Sequence, residues 1–289
     1  MKCNLCGRDD AKEFAIDYSG SETVLHNRRV QCRECGLVYS NPQATTENLK
    51  DFYSKTYPNV EAACSAEYGI KEIVSMRHFF TDLNLRIPSR GRFLDIGSAN
   101  GYLLAVAQEF GWEPYGLELS QVFATFAKEQ LGMSNVFIGE LQEANFEDRF
   151  FDCIHMWHVL EHVSDPLGTL REIYRILKDE GFFCLGVPNI GEPYKIIGRT
   201  VARLKGNIPA ISTGDFHTYD FTPTTLNQML NKAGFKVKEL AIYYRPLGDT
   251  YYYGPITHRA LKVFLYYLGR LLPNRFGNFM GIYAVKKSM

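Results

Sequence analysis

One ten-residue stretch, RFLDIGSANG at Arg92–Gly101, constrains the fold more than any other part of the chain. Its first half is an apolar run typical of a buried strand. Gly97 and Gly101 then bracket a sharp turn at which the backbone can approach a ligand closely. Apolar residues recur at helical spacing over Tyr102–Phe110, and Gly111 ends that pattern. The stretch therefore predicts a strand, a glycine turn and a helix, an arrangement that binds nucleotide-like ligands at the helix start.

Two carboxylates narrow the choice of ligand for this turn. Asp95 lies two residues before Gly97, and the dinucleotide fingerprint G-x-G-x-x-G is absent. An acid at that point repels a pyrophosphate, which disfavours a nicotinamide-dependent oxidoreductase and favours a cationic or hydroxyl-bearing ligand. Glu118 ends the next predicted strand, 23 residues after Asp95, a spacing typical of the acid that binds ribose hydroxyls. A purely structural turn in some other α/β protein is the alternative.

The first 42 residues carry a separate signal, two C-x-x-C-G segments. Each segment offers two thiolates from one tight turn, and four thiolates suit tetrahedral zinc. The predicted metal ligands are Cys3, Cys6, Cys32 and Cys35. A redox role is less favoured, because two such segments are present and neither is followed by a helix pattern. We therefore predict a structural zinc ribbon over residues 1–42, whose folding zinc would support by about 10 kcal/mol or more.

Composition excludes some function classes. The chain has 289 residues, of which 46% are hydrophobic and 22% charged, and its formal net charge is +0. Nothing global therefore favours a nucleic acid as partner. No run of 18 apolar residues predicts a membrane span, and no secretory signal is visible after Met1. Together with the thiol-rich composition, this leads us to expect a cytoplasmic protein.

Three segments carry a resemblance to a known family. LDIGSANG resembles motif I of the class I S-adenosylmethionine-dependent methyltransferases, with Ala99 where the family often has glycine. FDCIHMWHVLEHVSDP at 151–166 resembles the fourth-strand motif of the same class. CRECGLVYSNP at 32–42 resembles the zinc-ribbon front end of bacterial methyltransferases that modify glycans or natural products. The resemblance implies an α/β fold, a Rossmann-like seven-stranded methyltransferase sheet with an N-terminal zinc ribbon, and S-adenosylmethionine as cofactor.

The resemblance also implies which residues bind the cofactor. It places the glycine turn and Asp95 against the cofactor, Glu118 on the ribose of the cofactor, and Glu140, which follows the third strand, on its adenine. The implied cofactor-binding residues are Asp95, Gly97, Ser98, Gly101, Glu118, Leu119, Glu140, Leu141 and His158.

Three histidines are candidates for catalysis: His158, His162 and His217. The last begins an H-x-x-x-F-T-P segment, which in the family precedes a helix and faces the methyl acceptor. The segment His158–His162 also spells an inverted zinc-peptidase motif, but Ser164–Pro166 starts a new helix too early for that chemistry. It further resembles the E-x-x-E-H segment with which some methyltransferases hold a divalent ion. His158 stands where that segment has its first acid, so a catalytic metal stays an open alternative.

These inferences predict methyl transfer to a small-molecule or glycan-type acceptor at an oxygen atom, such as a sugar, a sugar nucleotide or a natural product. An RNA methyltransferase that uses the ribbon for recognition, and a non-catalytic S-adenosylmethionine-binding protein, are the alternatives. The charges of the ribbon are balanced, which disfavours RNA. The predicted domains are the ribbon at 1–42, a helical linker and cofactor lid at 43–90, and the methyltransferase domain at 91–289 with substrate-cap insertions at 190–220 and 245–275.

Two segments near the carboxyl end suggest further partners. Lys195, Arg199 and Arg203 recur every four residues opposite an apolar stripe, which predicts either a solvated basic helix face or a clamp for an anionic acceptor. Tyr251–Leu272 is rich in Tyr, Leu and Phe, and we interpret it as a packing helix, with peripheral membrane contact as the alternative.

Overall fold

The computed structural model describes residues 2–17, 28–43, 45–56, 66–87, 90–211, 217–243 and 277–287. Its helices are α1 (Thr46–Thr56), α2 (Ala66–Arg86), α3 (Tyr102–Glu109), α4 (Gln121–Leu131), α5 (Pro166–Ile176), α6 (Pro193–Leu204) and α7 (Pro223–Ala233). Its strands are β1 (Ala11–Asp17), β2 (Arg28–Cys32), β3 (Val38–Ser40), β4 (Arg92–Ile96), β5 (Glu113–Glu118), β6 (Val136–Ile138), β7 (Phe151–Trp157), β8 (Leu177–Pro188), β9 (Ala210–Ile211), β10 (Tyr219–Asp220), β11 (Phe235–Tyr243) and β12 (Phe279–Lys286).

Seven strands form one sheet in the order β11-β12-β8-β7-β4-β5-β6. The central strand β4 pairs in parallel with β5 on one side and with β7 on the other. Most residues of β4 and β7 are buried, as expected of parallel strands that are covered on both faces. The predicted seven-stranded α/β sheet is confirmed.

The chain divides into two compact units. The first contains residues 1–44, 160–167 and 186–283, and the second contains residues 45–159, 168–185 and 284–289. In the second unit an aromatic core covers the strand that leads to the glycine turn. The ring of Phe93 on β4 lies 5.1 Å from that of Phe80 on α2 and 6.0 Å from that of Trp112, measured between centroids. This packing fixes β4 beneath the turn.

The first unit contains a second sheet, of five strands in the order β10-β3-β2-β1-β9. Strands β1, β2 and β3 come from the predicted ribbon and pair antiparallel in sequence order. The outer strands β9 and β10 come from the segment 190–220, which the sequence predicts only as an insertion. Ile16 pairs with Ala210, and Tyr39 pairs with Tyr219. The ribbon and the insertion therefore share one sheet, and the predicted functional division of the chain into three parts stays a prediction.

Helix α6 is only in part the solvated basic face that the spacing predicts, because Arg203 is exposed, Lys195 is partly buried and Arg199 is buried. Arg199 is buried with 8% of its surface exposed, and its Nη2 donates a hydrogen bond to the carbonyl of Ile190 at 3.1 Å. Arg203 Nη2 donates to the carbonyl of Phe14 at 3.0 Å. Burial, with the nearby charge of Arg203, lowers the pKa of Arg199 to about 10. Both guanidinium groups bind backbone of the chain itself, and the apolar stripe faces solvent.

Helix boundaries mostly follow the capping signals. Helix α7 has Thr222 as N-cap, Pro223 as its first residue and Gly234 in the left-handed conformation at its end, which are the residue types typical of these positions. At the start of α1 the chain offers Thr45 and Thr46 in succession, and threonine is a preferred N-cap residue. The cap is Thr45, whose Oγ1 accepts from the backbone N–H of Asn48 at 3.2 Å, and Thr46 is the first residue of the helix.

The insertion predicted at 245–275 and the membrane contact predicted for Tyr251–Leu272 lie outside the described residues. Within the ranges that the structure describes, none of the helices combines the length and the apolar character needed to cross a membrane.

Candidate active site

The glycine turn between β4 and α3 is held tightly against β5. The backbone N–H groups of Gly97 and Ser98 both donate to the carbonyl of Leu117, at 2.8 and 3.0 Å. Gly101 has φ +80°, and a Cβ at that position would lie 2.6 Å from the Cβ of Ala127. Both the backbone conformation and the close packing therefore require glycine there.

The start of α3 leaves polar groups for a ligand. Gly101 is the N-cap and has no side chain to cap the first amides, so the helix has no side-chain cap. Ser98 Oγ is buried and, among the described residues, has no hydrogen-bond partner. Unsatisfied amides at a helix start together with an unpartnered buried hydroxyl fit a bound polar cofactor such as S-adenosylmethionine.

Glu118, at the end of β5, supports this turn from behind. It is 7% exposed, and its two carboxylate oxygens accept from the backbone N–H groups of Ala99 and Ser120, each at 2.8 Å. Ala99 has φ +44°, an uncommon conformation for a residue other than glycine. Burial raises the pKa of Glu118. Each carboxylate oxygen can accept a second hydrogen bond, so the group remains able to bind ribose hydroxyls.

Asp95, the acid before the turn, has a partner that sequence reasoning missed. Asp95 on β4 lies opposite His155 on β7 in the parallel ladder, and its Oδ1 is 2.7 Å from His155 Nδ1. Both side chains are buried. The imidazole is stacked on Trp157 with an interplanar angle of 3°. The stretch containing His155 could have indicated a buried histidine, but only the strand pairing reveals its partner.

The remaining predicted cofactor residues lie at the ends of neighbouring strands. Glu140 follows β6 and accepts a hydrogen bond from Thr46 Oγ1 at 2.6 Å. Leu141 beside it is 3% exposed. Leu119 directly follows β5 and lies between Glu118 and Ser120, whose backbone N–H donates to the Glu118 carboxylate. His158 follows β7 and has φ +58°, a conformation that costs energy for a side chain of this kind and is often found at functional sites.

In the first unit, Glu161, His162 and His217 form a cluster, which we call the histidine cluster. One ligand atom of each residue lies within 4.8 Å of the others, and the two imidazole rings meet edge to face at 4.9 Å. The structure thus brings two of the three predicted catalytic histidines together. Glu161, which the sequence analysis did not select, is the third member. The set can accept protons, and two imidazoles with one carboxylate can also hold a divalent ion.

Backbone hydrogen bonds hold the two halves of the histidine cluster together. The N–H groups of Thr218 and Tyr219 both donate to the carbonyl of Glu161, at 2.7 and 3.0 Å. The pairing between β10 and β3 continues through the Ser40 N–H, which donates to the Thr218 carbonyl at 2.9 Å. His217 is therefore positioned by the same sheet that contains the ribbon.

A buried ion pair lies behind His217. Asp220 Oδ1 is 3.6 Å from His217 Nδ1, and Asp220 Oδ2 is 3.6 Å from Arg29 Nε. Arg29, on β2 of the ribbon, also donates through Nη1 to the carbonyl of His217. All three side chains are at least nine-tenths buried. At 3.6 Å the carboxylate acts on the imidazole through its charge rather than through a hydrogen bond, and such a charge stabilises the protonated form of the ring.

The four predicted zinc ligands converge, as their spacing indicated. Their sulfur atoms lie within 4.8 Å of one another, and the Cys3–Cys35 and Cys6–Cys32 pairs are each 3.5 Å apart. Tetrahedral zinc with bonds of about 2.3 Å places its sulfurs about 3.8 Å apart. Burial raises the pKa of Cys3 and of Cys35, whereas the effect of burial on Cys32 is outweighed by backbone hydrogen bonds from Cys35 and Glu34, which lower its pKa. Four thiolates this close repel one another, so a cation is needed to keep them together. The donor set fits zinc.

A parallel sheet with a glycine turn after its central strand and an acid at the end of the next strand fits the class I S-adenosylmethionine-dependent methyltransferases, and dinucleotide-binding folds share these features. The chain belongs to the family described as a methyltransferase domain, whose model matches residues 68–240, more than half of the chain. It is an S-adenosylmethionine-dependent methyltransferase.

Comparisons with individual proteins agree with this class. A demethylmenaquinone methyltransferase from Staphylococcus haemolyticus is 28% identical over 180 residues, which cover 56% of this chain and 75% of that protein. A ubiquinone biosynthesis O-methyltransferase from Nitrosospira multiformis is 24% identical over 194 residues, covering 65% and 80%. The PH0226 protein from Pyrococcus horikoshii has a similar fold, with a TM-score of 0.51, 16% identity and coverage of 81% and 98%.

Proposed function

We propose that this methyltransferase acts on a hydroxyl oxygen of a small-molecule acceptor. The observation that carries the proposal is the histidine cluster, because an oxygen acceptor must lose a proton as it is methylated and imidazole is the usual base at neutral pH. The similarity to a relative named an O-methyltransferase supports the same chemistry. Sugars, sugar nucleotides and natural products are the acceptor classes to test. Arg199 is buried, and both Arg199 and Arg203 donate to backbone carbonyls of the chain, which argues against α6 as a clamp for an anionic acceptor.

In the proposed reaction His217 acts as the general base. S-adenosylmethionine, when bound, supplies a methyl group made electrophilic by its sulfonium. The methyl group would pass to the acceptor oxygen with the thioether as leaving group, and His217 would take the hydroxyl proton. Asp220 stabilises the resulting imidazolium. We assign cofactor binding to the glycine turn, Glu118 and the residues after β6, and zinc to the four cysteines.

The test measures methyl transfer to a panel of sugars, sugar nucleotides, phenolic natural products and RNA. We expect transfer to a hydroxyl, and His217→Ala should lower kcat by about 10²- to 10⁴-fold with the affinity for S-adenosylmethionine unchanged. His78→Ala, which removes an exposed histidine on α2, is the matched control and should have no effect. Transfer only to RNA, or only to nitrogen or carbon, would contradict the proposal.

A metal role for the histidine cluster predicts a different result. If Glu161, His162 and His217 hold a divalent ion that activates the acceptor hydroxyl, added Mn²⁺ should bind and give an altered electron paramagnetic resonance spectrum. His217→Ala should then abolish that spectrum. An unaltered spectrum in the wild-type protein supports the base role.

The buried state of Glu118 predicts a pH dependence of cofactor binding. Because its pKa is raised above the ordinary value of 4.5, Glu118 takes up a proton at a higher pH than an exposed carboxyl, and its binding to ribose hydroxyls weakens there. Calorimetry should therefore show the affinity for S-adenosylmethionine falling as the pH is lowered toward the raised pKa of Glu118. A raised pKa in the folded state means that protonation of Glu118 favours folding, so the titration of this group does not itself unfold the chain.

The variant Glu118→Gln should bind S-adenosylmethionine about ten- to a hundredfold more weakly at neutral pH, because a charge-assisted hydrogen bond is lost. Its remaining affinity should not change with pH in the acidic range. Glu113→Gln, at the exposed start of the same strand, is the control. An unchanged pH profile in Glu118→Gln would show that another group is responsible.

A further inference from the structure

Helix α6 presents an apolar face to solvent. Along this helix Ile196, Ile197 and Val201 are each close to half exposed, and Leu204 at its end is 82% exposed. Ile208 in the following turn is 50% exposed. Scattered surface leucines are common, but a contiguous apolar stripe of this kind on one helix is characteristic of an interaction surface.

The orientation of α6 is fixed by contacts on its opposite side. Arg199 and Arg203 point toward β1, with their guanidinium carbons 4.8 and 5.7 Å from the centroid of the Phe14 ring. Each also donates to a backbone carbonyl, that of Ile190 for Arg199 and that of Phe14 for Arg203. Rotating the helix to bury its apolar side would break these contacts. These contacts therefore keep the apolar stripe of α6 exposed to solvent.

Charge along the same segment has one sign. Residues 193–211 contain no aspartate or glutamate, whereas Lys195, Arg199, Arg203 and Lys205 are all basic. Lys205 is exposed beside Leu204. A helix with an apolar face and basic residues is the pattern of helices that lie in the plane of a membrane surface. Arg199 and Arg203 are engaged on the opposite side of the helix, so it is Lys195 and Lys205 that can complement the negative charge of anionic lipids.

We propose that the exposed face of α6 docks on the surface of an anionic lipid bilayer. Lying flat, its twelve residues, Pro193–Leu204, give about 18 Å of helix at the interface, with the apolar stripe in the acyl boundary and the lysines at the headgroups. The exposed apolar side chains described for this helix are all aliphatic. Lysine is depleted at protein interfaces, so the exposed Lys205 beside this stripe favours an anionic lipid surface over a protein partner. The proposal does not depend on the acceptor.

The test is sedimentation of the full-length protein with phosphatidylcholine vesicles that contain or lack phosphatidylglycerol. We expect the protein to bind the anionic vesicles, and the double variant Ile197→Asp/Leu204→Asp to lower the partition coefficient by at least about tenfold. Lys205→Glu should weaken binding to anionic vesicles, and added salt should do the same.

The control variant is Leu85→Asp, which changes an equally exposed leucine on α2, 81% against 82%. It should bind vesicles as the wild type does. Sedimentation velocity without lipid tests the competing possibility that a second copy of this chain binds the exposed face of α6. A dimer that the double variant disrupts, or vesicle binding that the double variant leaves unchanged, would overturn the proposal.

Discussion

Replacing Arg29 with methionine is expected to impair both folding and methyl transfer. The side chain lies 3.6 Å from Asp220 and is 3% exposed, and removing one partner of a buried ion pair typically costs about 3–5 kcal/mol in the free energy of unfolding. Arg29 also donates to the carbonyl of His217. We therefore expect a lower midpoint of urea unfolding and a lower kcat, with the affinity for S-adenosylmethionine unchanged.

The neighbouring residue supplies the control. Arg28 is on the same strand, but its side chain is 68% exposed and pairs with Glu13 at the surface. Because exposed pairs contribute little, Arg28→Met should change neither stability nor kcat appreciably. Arg29→Lys keeps the charge but lacks the second donor of the guanidinium, so it should restore stability better than activity.

The pH profile of kcat separates a positioning role from a general loss of stability. If Arg29 fixes Asp220 and His217, its removal should shift the pH at which kcat reaches half of its maximum, measured at a temperature where the variant is folded. A variant that is less stable but has the wild-type kcat and pH profile would show that Arg29 is purely structural.

The elements that could be predicted from the sequence are those whose signals are local. The strand, turn and helix around Gly97–Gly101 follow from an apolar run and two glycines, and α7 follows from its capping residues Thr222 and Gly234. Each C-x-x-C pair likewise predicts, from its own spacing, two thiolates presented from one tight turn. The strand, turn and helix signals and the two cysteine pairs each lie within about a dozen residues, and only the convergence of the two pairs spans a longer stretch of chain.

The features that could not be predicted depend on contacts between distant segments. The sequence of α6 predicts that its apolar side faces the protein interior. In the structure Arg199 and Arg203 both lie over the ring of Phe14 on β1, and Arg203 also donates to the Phe14 carbonyl. These contacts turn the apolar side of the helix toward solvent. The Asp95–His155 pair requires the strand register. Arg29 reads as an ordinary ribbon charge until β10 is known to pair with β3.

The zinc ribbon gives the second large expected effect, on removal of zinc. Cys32 ends the same strand that carries Arg29, and β3, which pairs with that strand, also pairs with β10 beside His217. Losing the metal removes about 10 kcal/mol or more from the folding of the ribbon, and the positioning of His217 should be lost with it. The Cys32→Ser variant should therefore have little kcat and a reduced zinc content.

Cofactor binding should respond differently from catalysis. The glycine turn and Glu118 belong to the second unit, with hydrogen bonds of their own, so calorimetry should still detect S-adenosylmethionine binding in Cys32→Ser. Cys184→Ala, which changes a buried cysteine outside the four-sulfur group, should keep its zinc. Full activity in zinc-free protein would show that the ribbon does not position the site. Loss of both cofactor binding and activity would show that zinc is required for the folding of the whole chain. Loss of kcat with cofactor binding retained is the one result that supports a ribbon that positions His217.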